Sequence, residues 1–217
     1  VLEGRAFFIV PTGVFRGFGN IGTGYGIILA LLGGDDAGGG VIWAPQVIED
    51  AQEHGLILGE NGKLYDSKKG QSLPAEINPM PVLPDDLLAH YPEPATADVV
   101  PFYVARYWDM MALADHQPAK VIGADAMLRD RPGFEVDFIT RGSIGADSYA
   151  TDQHEILMVM RGHWRLDWQE GGTVLAPGDT CAVPPGLSHG LTPAMTGEAS
   201  LYRVRNTADD AGPTHVF

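Results

Sequence analysis

Short apolar runs separated by Gly and Pro turns dominate the last third of the chain. Residues 149–190 read YATDQHEILMVMRGHWRLDWQEGGTVLAPGDTCAVPPGLSHG. An apolar run from Ile156 to Met160 meets a turn at Gly162. Trp164, Leu166 and Trp168 then stand on alternate positions, and Gly171 and Gly172 make a second turn. Pro177, Gly178 and Asp179 make a third, a short apolar strand covers 180–183, and Pro184, Pro185 and Gly186 lead to His189. Short strands punctuated in this way predict an all-β sandwich or barrel. Residues 134–141 (FEVDFITR) alternate strictly, with Phe134, Val136 and Phe138 on one face, which predicts a half-buried strand. The aromatic and apolar stretch 102–113 is read as a further strand; a strand bending into a turn of helix also fits it.

Upstream, 6–10 is a compact apolar strand followed by a turn at Pro11, Thr12 and Gly13. A glycine-rich bend around Asn20 precedes a second strand over 25–32, and 35–40 is a Gly-rich hinge. Val47, Ile48 and Ala51 on one side of 46–54, with acids on the other, predict a short amphipathic helix capped by Gly55. In 56–101, Pro79, Pro81, Pro84, Pro92 and Pro94 exclude long helices. That stretch is expected to be a connector with one helical turn at 84–90, because so long an irregular segment is unusual inside one domain. Residues 206–217 form a polar tail.

Composition narrows the picture. At 217 residues, 45% hydrophobic and 19% charged, the chain is an ordinary globular protein of one large or two small domains. A formal charge of -14 disfavours nucleic acid or an anionic membrane surface as a partner. The longest apolar run, 26–32, is too short to span a bilayer and no signal peptide opens the chain, so a cytoplasmic location is expected. Cys181 is the single cysteine, which excludes an internal disulfide; within an apolar strand it reads as a structural thiol.

Two spaced motifs carry a family resemblance. Glu155 is followed after six residues by Gly162, and Gly178, Pro184, Gly186 and His189 stand at a second fixed spacing. In both, the chain resembles the cupin family, which implies a jelly-roll β-barrel over 101–217. Pro11, Gly13 and Asn20 resemble the second motif again, with Arg16 at its His position. Residues 1–33 then read as the second half of a first cupin barrel and 34–100 as hinge, short helix and Pro-rich linker. The chain, which opens at Val1, would be the C-terminal part of a two-barrel protein, a bicupin. The alternative is one decorated cupin whose N-terminal strands pair with its own barrel or a partner's.

The resemblance implies a metal held by two His, six and four residues before the Glu, the Glu itself and the later His. Here Tyr149 and Thr151 occupy the two His positions. His154 has the opposite strand parity to Glu155 and is expected to point outward unless a bulge turns it in. Glu155 and His189 remain as metal ligands, an incomplete set for Fe(II) or another divalent metal, with Tyr149 as a phenolate third; a barrel without metal is equally open. Without metal, Glu155 and His189 form a buried hydrogen-bonded pair, or a general acid-base pair with His189 carrying the proton and Tyr149 beside it. Arg161, on Glu155's parity, is a substrate-binding candidate or a rim salt bridge. Thr151 and Arg16 are the other substrate-binding candidates.

The resemblance implies an oxidoreductase of the gentisate and homogentisate dioxygenase-like bicupin lineage, acting with an altered metal site on a small substrate, an aromatic acid among the candidates. The alternatives are a metal-free cupin that binds a small ligand or serves a structural or regulatory role, and a metal-independent isomerase. The expected partners are a small molecule and further copies of the chain. A homo-oligomer is expected because Ile156, Met158 and Met160 make the outward face of their strand apolar, a face that needs cover.

Overall fold

Alternation of side chains along three strands builds the larger part of the molecule. The computed structural model describes residues 4–9, 14–31, 43–91, 94–128, 133–145 and 147–207. They fall into two units, Val1–Thr12 with Leu31–Gly34 and Pro94–Phe217, and Gly13–Ala30 with Asp35–Glu93. In chain order the elements are β1 (Phe7–Phe8), α1 (Pro45–Glu53), β2 (Leu56–Leu58), β3 (Leu64–Asp66), α2 (Asp85–Leu88), α3 (Thr96–Tyr103), β4 (Val104–Ala105) and α4 (Tyr107–Leu113). Then follow β5 (Ala119–Ile122), β6 (Phe134–Thr140), β7 (Glu155–Arg161), β8 (Trp164–Trp168), β9 (Gly171–Leu175), β10 (Thr180–Val183), β11 (His189–Pro193) and β12 (Ser200–Asn206).

In the first unit the antiparallel order β10-β7-β12-β6-β5 makes one sheet and β11-β8-β9 a second. Odd-numbered residues of β6, β7 and β12 point between the sheets. Ile139, Leu157, Val159 and Leu201 there meet Trp164, Leu166 and Leu191 of the second sheet in one buried cluster. Even-numbered residues of the same strands point the other way. Val136, Phe138, Met158, Tyr202 and Val204 pack on Tyr107 and Met110 of α4 and on Ala119, Val121 and Ile122 from β5. The larger sheet is therefore covered on both faces, and the two apolar clusters supply its driving force at ~25 cal/mol per Å2 of surface removed from water.

The stretch 102–113 is mainly helix, where a strand was expected. Tyr107, Met110 and Ala114 recur at steps of three and four and are all buried, while Trp108 and Leu113 on the far side are exposed. That helical period outweighs the β propensity of the aromatics. Only β4, which pairs antiparallel with β1, is extended. The same helix explains the apolar outward face of β7. Ile156 and Met160 are half-buried against the cluster that contains Met158 and α4, so the chain itself covers this face and it gives no ground for a second copy.

The strand expected over 25–32 is not formed among its described residues 25–31. Asn20 instead closes a local turn, accepting from Gly22 N–H and donating to Gly24 O. Pro11, Gly13 and the hinge 35–40 lie outside the described residues, as does nearly all of the tail. The expected helix near 46–54 is α1, begun by Pro45 at its first position and followed by Gly55 in the left-handed region (φ 79°). The connector carries its own β2–β3 hairpin, and its helical turn is α2. No helix among the described residues is long and apolar enough to cross a membrane.

Candidate functional site

Glu155 opens β7 on its inward parity, and His189 opens β11 on the facing sheet. Two turns bring them together. Gly162 (φ 69°) closes β7 onto β8, and a Cβ there would lie 2.6 Å from the Glu198 carbonyl oxygen, so only glycine fits. Tyr149 and His189 exchange backbone hydrogen bonds of 2.9 Å in both directions, which lays the segment before β7 along β11. Gly186 N–H donates to Thr151 O at 2.7 Å and ties the same segment to the Pro-Gly turn.

The Glu155 and His189 side chains have no exposed surface. His189 Nε2 lies 3.1 Å from Glu155 Oε1, and the Tyr149 hydroxyl donates to that same oxygen at 2.7 Å. His189 Nδ1 lies 2.9 Å from Leu187 O. A carbonyl can only accept, so Nδ1 carries a hydrogen. Nε2 and Oε1 lie within hydrogen-bond distance of each other. The rings of Tyr149 and His189 are 4.4 Å apart, centre to centre. Burial, then the Glu155 carboxylate, push the Tyr149 phenol up to about 12.

Four charged residues complete the polar end of the interior. Arg203 on β12 faces Asp137 on β6, and Arg205 faces Glu135. Arg203 donates to Asp137 Oδ2 from Nη2 at 2.8 Å and Nε at 3.2 Å, and Arg205 Nη2 reaches the same oxygen at 3.0 Å and Glu135 Oε2 at 3.6 Å. Burial works against the Arg203 charge, but its bond to Asp137 and its contact with Tyr149 hold the guanidinium above its ordinary range. Arg203 Nε stands 3.9 Å from Glu155 Oε2, a buried oxygen that accepts no hydrogen bond. A cavity of about 290 Å3 lies beside this cluster, with walls that include Glu135, Thr151, Asp152, Gln153, Arg205 and Asn206.

Of the residues singled out in the sequence, Tyr149, Glu155 and His189 are brought into direct contact and Thr151 onto the neighbouring cavity. Arg161 is not brought to them. It ends the strand that Glu155 begins, about 20 Å away at ~3.3 Å per residue, and pairs with Glu198 at 2.5 Å, both half-exposed. Arg16 is exposed and belongs to the other unit. His154 is exposed, as its parity requires. Cys181 is half-buried, and burial pushes its thiol up.

A cupin-type metal asks for a third and fourth ligand beside Glu155 and His189. Tyr149 is a neutral phenol whose hydrogen already serves Glu155, and Thr151 Oγ1 accepts from Gln153 N–H at 3.2 Å. Among the described residues no group of three or more His, Cys, Asp and Glu is placed to hold a metal ion. The donor set therefore does not fit the metal that the motif resemblance implies.

No family model matches the chain, and no curated protein matches it. Among solved structures it is similar to protein NMB1881 of Neisseria meningitidis, at 18% identity over 46% of this chain and 94% of that chain, with a TM-score of 0.37. It is similar also to a cupin-2 domain containing protein of Shewanella frigidimarina, at 13% identity over 47% of this chain and 93% of that one, with a TM-score of 0.36. Fe(II) HppE is 21% identical over 34% of this chain and 43% of its own, with a TM-score of 0.29.

Proposed function

We propose that the chain carries a cupin domain that binds a small molecule in the cavity beside the Tyr149–Glu155–His189 cluster and does so without a resident metal. One observation carries the reading: beside Glu155 and His189 the described residues bring no third His, Cys, Asp or Glu, and the Tyr149 O–H is spent on Glu155 Oε1. The dioxygenase-like reading rests on the motif resemblance and needs a third ligand that these side chains do not offer. A metal-independent isomerase needs a proton carrier in reach of its substrate. Both ring nitrogens of His189 are engaged inside the protein, and its side chain has no exposed surface. Ligand binding is the function this geometry serves best, with the buried pair locking β7 to β11 behind the cavity wall.

The test is a titration of the 15N-labelled chain with mixtures of small polar fragments, read amide by amide. Fragments that move the amides of Glu135, Thr151, Gln153 and Asn206 together bear the reading out. Fragments that leave all of these unmoved, or bind only elsewhere, contradict it.

A further inference from the structure

The chain has four asparagines, and the residue after each one decides what its side chain can do. Asn78 precedes Pro79, which has no backbone N–H. Asn20 precedes Ile21 and Asn206 precedes Thr207, both branched at Cβ and therefore crowded around the main chain. Asn61 precedes Gly62, in the turn that joins β2 to β3. Both of these residues are exposed, and the space beside Gly62 is open, since a Cβ there would meet nothing within 4 Å.

The turn holds the Asn61 carboxamide at both ends. Its Oδ1 accepts from Lys63 N–H at 3.1 Å, and its Nδ2 donates to the Tyr65 hydroxyl at 3.1 Å. The main chain around it is fixed by Gly59 N–H to Lys63 O and by Gly62 N–H to Gly59 O, each 2.9 Å. Gly59 makes the room, because a Cβ there would lie 2.7 Å from Asn61 Oδ1. The carboxamide is thus kept over its own turn, with a donor on its oxygen and a hydroxyl on its nitrogen.

From this geometry we infer that Asn61 is a self-modifying site, which deamidates in the folded chain. The Gly62 nitrogen releases Gly59 O, gives its hydrogen to solvent and bonds to Asn61 Cγ. The charge that develops on Oδ1 is met by Lys63 N–H, already in place. The bond from Cγ to Nδ2 then breaks. Nδ2 leaves as ammonia, taking a proton from the Tyr65 O–H, and solvent restores that proton. Water opens the resulting cyclic imide at either carbonyl and leaves aspartate or isoaspartate in place of Asn61. Overall one water enters and one ammonia departs. Isoaspartate adds a methylene to the main chain between Gly59 and Lys63, whose bond closes the hairpin, so the product loses the register that sets Leu58 opposite Leu64.

The full chain tests this, incubated in mildly alkaline buffer both folded and in urea. Peptide mass spectrometry follows the change of –NH2 to –OH at each asparagine, and an isoaspartyl methyltransferase counts isoaspartate. Asn61 is expected to convert faster in the folded chain than in urea, while Asn20 and Asn206 stay intact. Tyr65→Phe, which keeps the ring of a half-buried residue, should slow the folded-state conversion about fivefold, the worth of one hydrogen bond. Conversion in the folded chain no faster than in urea would overturn the inference, because the turn would then give Asn61 no help. An unchanged rate in folded Tyr65→Phe would overturn it as well. The urea comparison needs no variant, so it decides the matter if Tyr65→Phe does not fold.

Discussion

Arg203 and Asp137 stand directly opposite each other on neighbouring strands and share two hydrogen bonds, 2.8 and 3.2 Å long, on the inward face of the sheet. Asp137 is buried, so removing it leaves a largely buried guanidinium without its partner. Asp137→Ala is expected to cost about 3–5 kcal/mol in urea unfolding. Replacing both residues by apolar ones of similar size should recover part of that loss, because the buried guanidinium goes with its partner while Arg205 keeps only Glu135. A double variant as unstable as the single one would show that the charges matter for more than each other.

Tyr149 gives the fold an alkaline limit. Its phenol rises from 10.0 to about 12 through burial and the neighbouring carboxylate. A group raised in the folded state contributes stability that is fully present below its unfolded pKa and is lost as pH climbs through the folded one. Stability should therefore hold below about pH 10 and decline between about pH 10 and 12. Tyr202, also raised by burial and then by Tyr107, adds to the decline in the same direction. Tyr149→Phe should flatten the decline while costing about 1 kcal/mol at neutral pH, through the hydrogen bond lost by Glu155. Unfolding curves across this range, followed alongside tyrosinate absorbance, check both.

Two motif glycines should respond differently to one methyl group. Both Gly162 (φ 69°) and Gly186 (φ 77°) use the left-handed region, so alanine at either is strained by about 1 kcal/mol. At Gly162 the new Cβ also meets Glu198 O at 2.6 Å and Ala199 Cβ at 2.9 Å, whereas at Gly186 nothing lies within 4 Å. Gly162→Ala is thus expected to lower the midpoint of thermal unfolding clearly more than Gly186→Ala.

Met110 has no exposed surface and packs α4 on the outer face of the larger sheet. Met110→Ala should cost about 2–5 kcal/mol. Loosening α4 uncovers Met158 and Phe138, so the variant is also expected to bind a hydrophobic dye before it unfolds. Unchanged stability would mean that the outer face is covered by something other than this helix.

The sequence made the ends of the cluster legible and hid its middle. The motif resemblance singled out Glu155 and His189, and strand parity set His154 on the opposite face from Glu155. Tyr149 and Thr151 were singled out because they occupy the two His positions that the resemblance implies. Arg203, Asp137, Arg205 and Glu135 were missed because Phe134, Val136 and Phe138 were read as the core face of a half-buried strand. Their face is the outer one, covered by α4, and the charged face is interior. The available signal was the match between acids at 135 and 137 and arginines at 203 and 205, alternating with apolar residues on both strands. Reading it required knowing that β6 and β12 pair, which is a long-range contact. The helix at 107–113 was hidden by aromatic residues with β propensity, although its buried positions keep a helical period.

Metal content tests the central claim most directly. The purified chain, grown with iron, manganese, nickel and zinc supplied, is analysed beside a Glu155→Ala/His189→Ala double variant. A protein that keeps Glu155 bonded to Tyr149 and His189 will hold each metal far below one per chain, and at the same level in the variant. About one metal per chain, lost in the variant, would contradict the account and return Glu155 and His189 to the role of ligands.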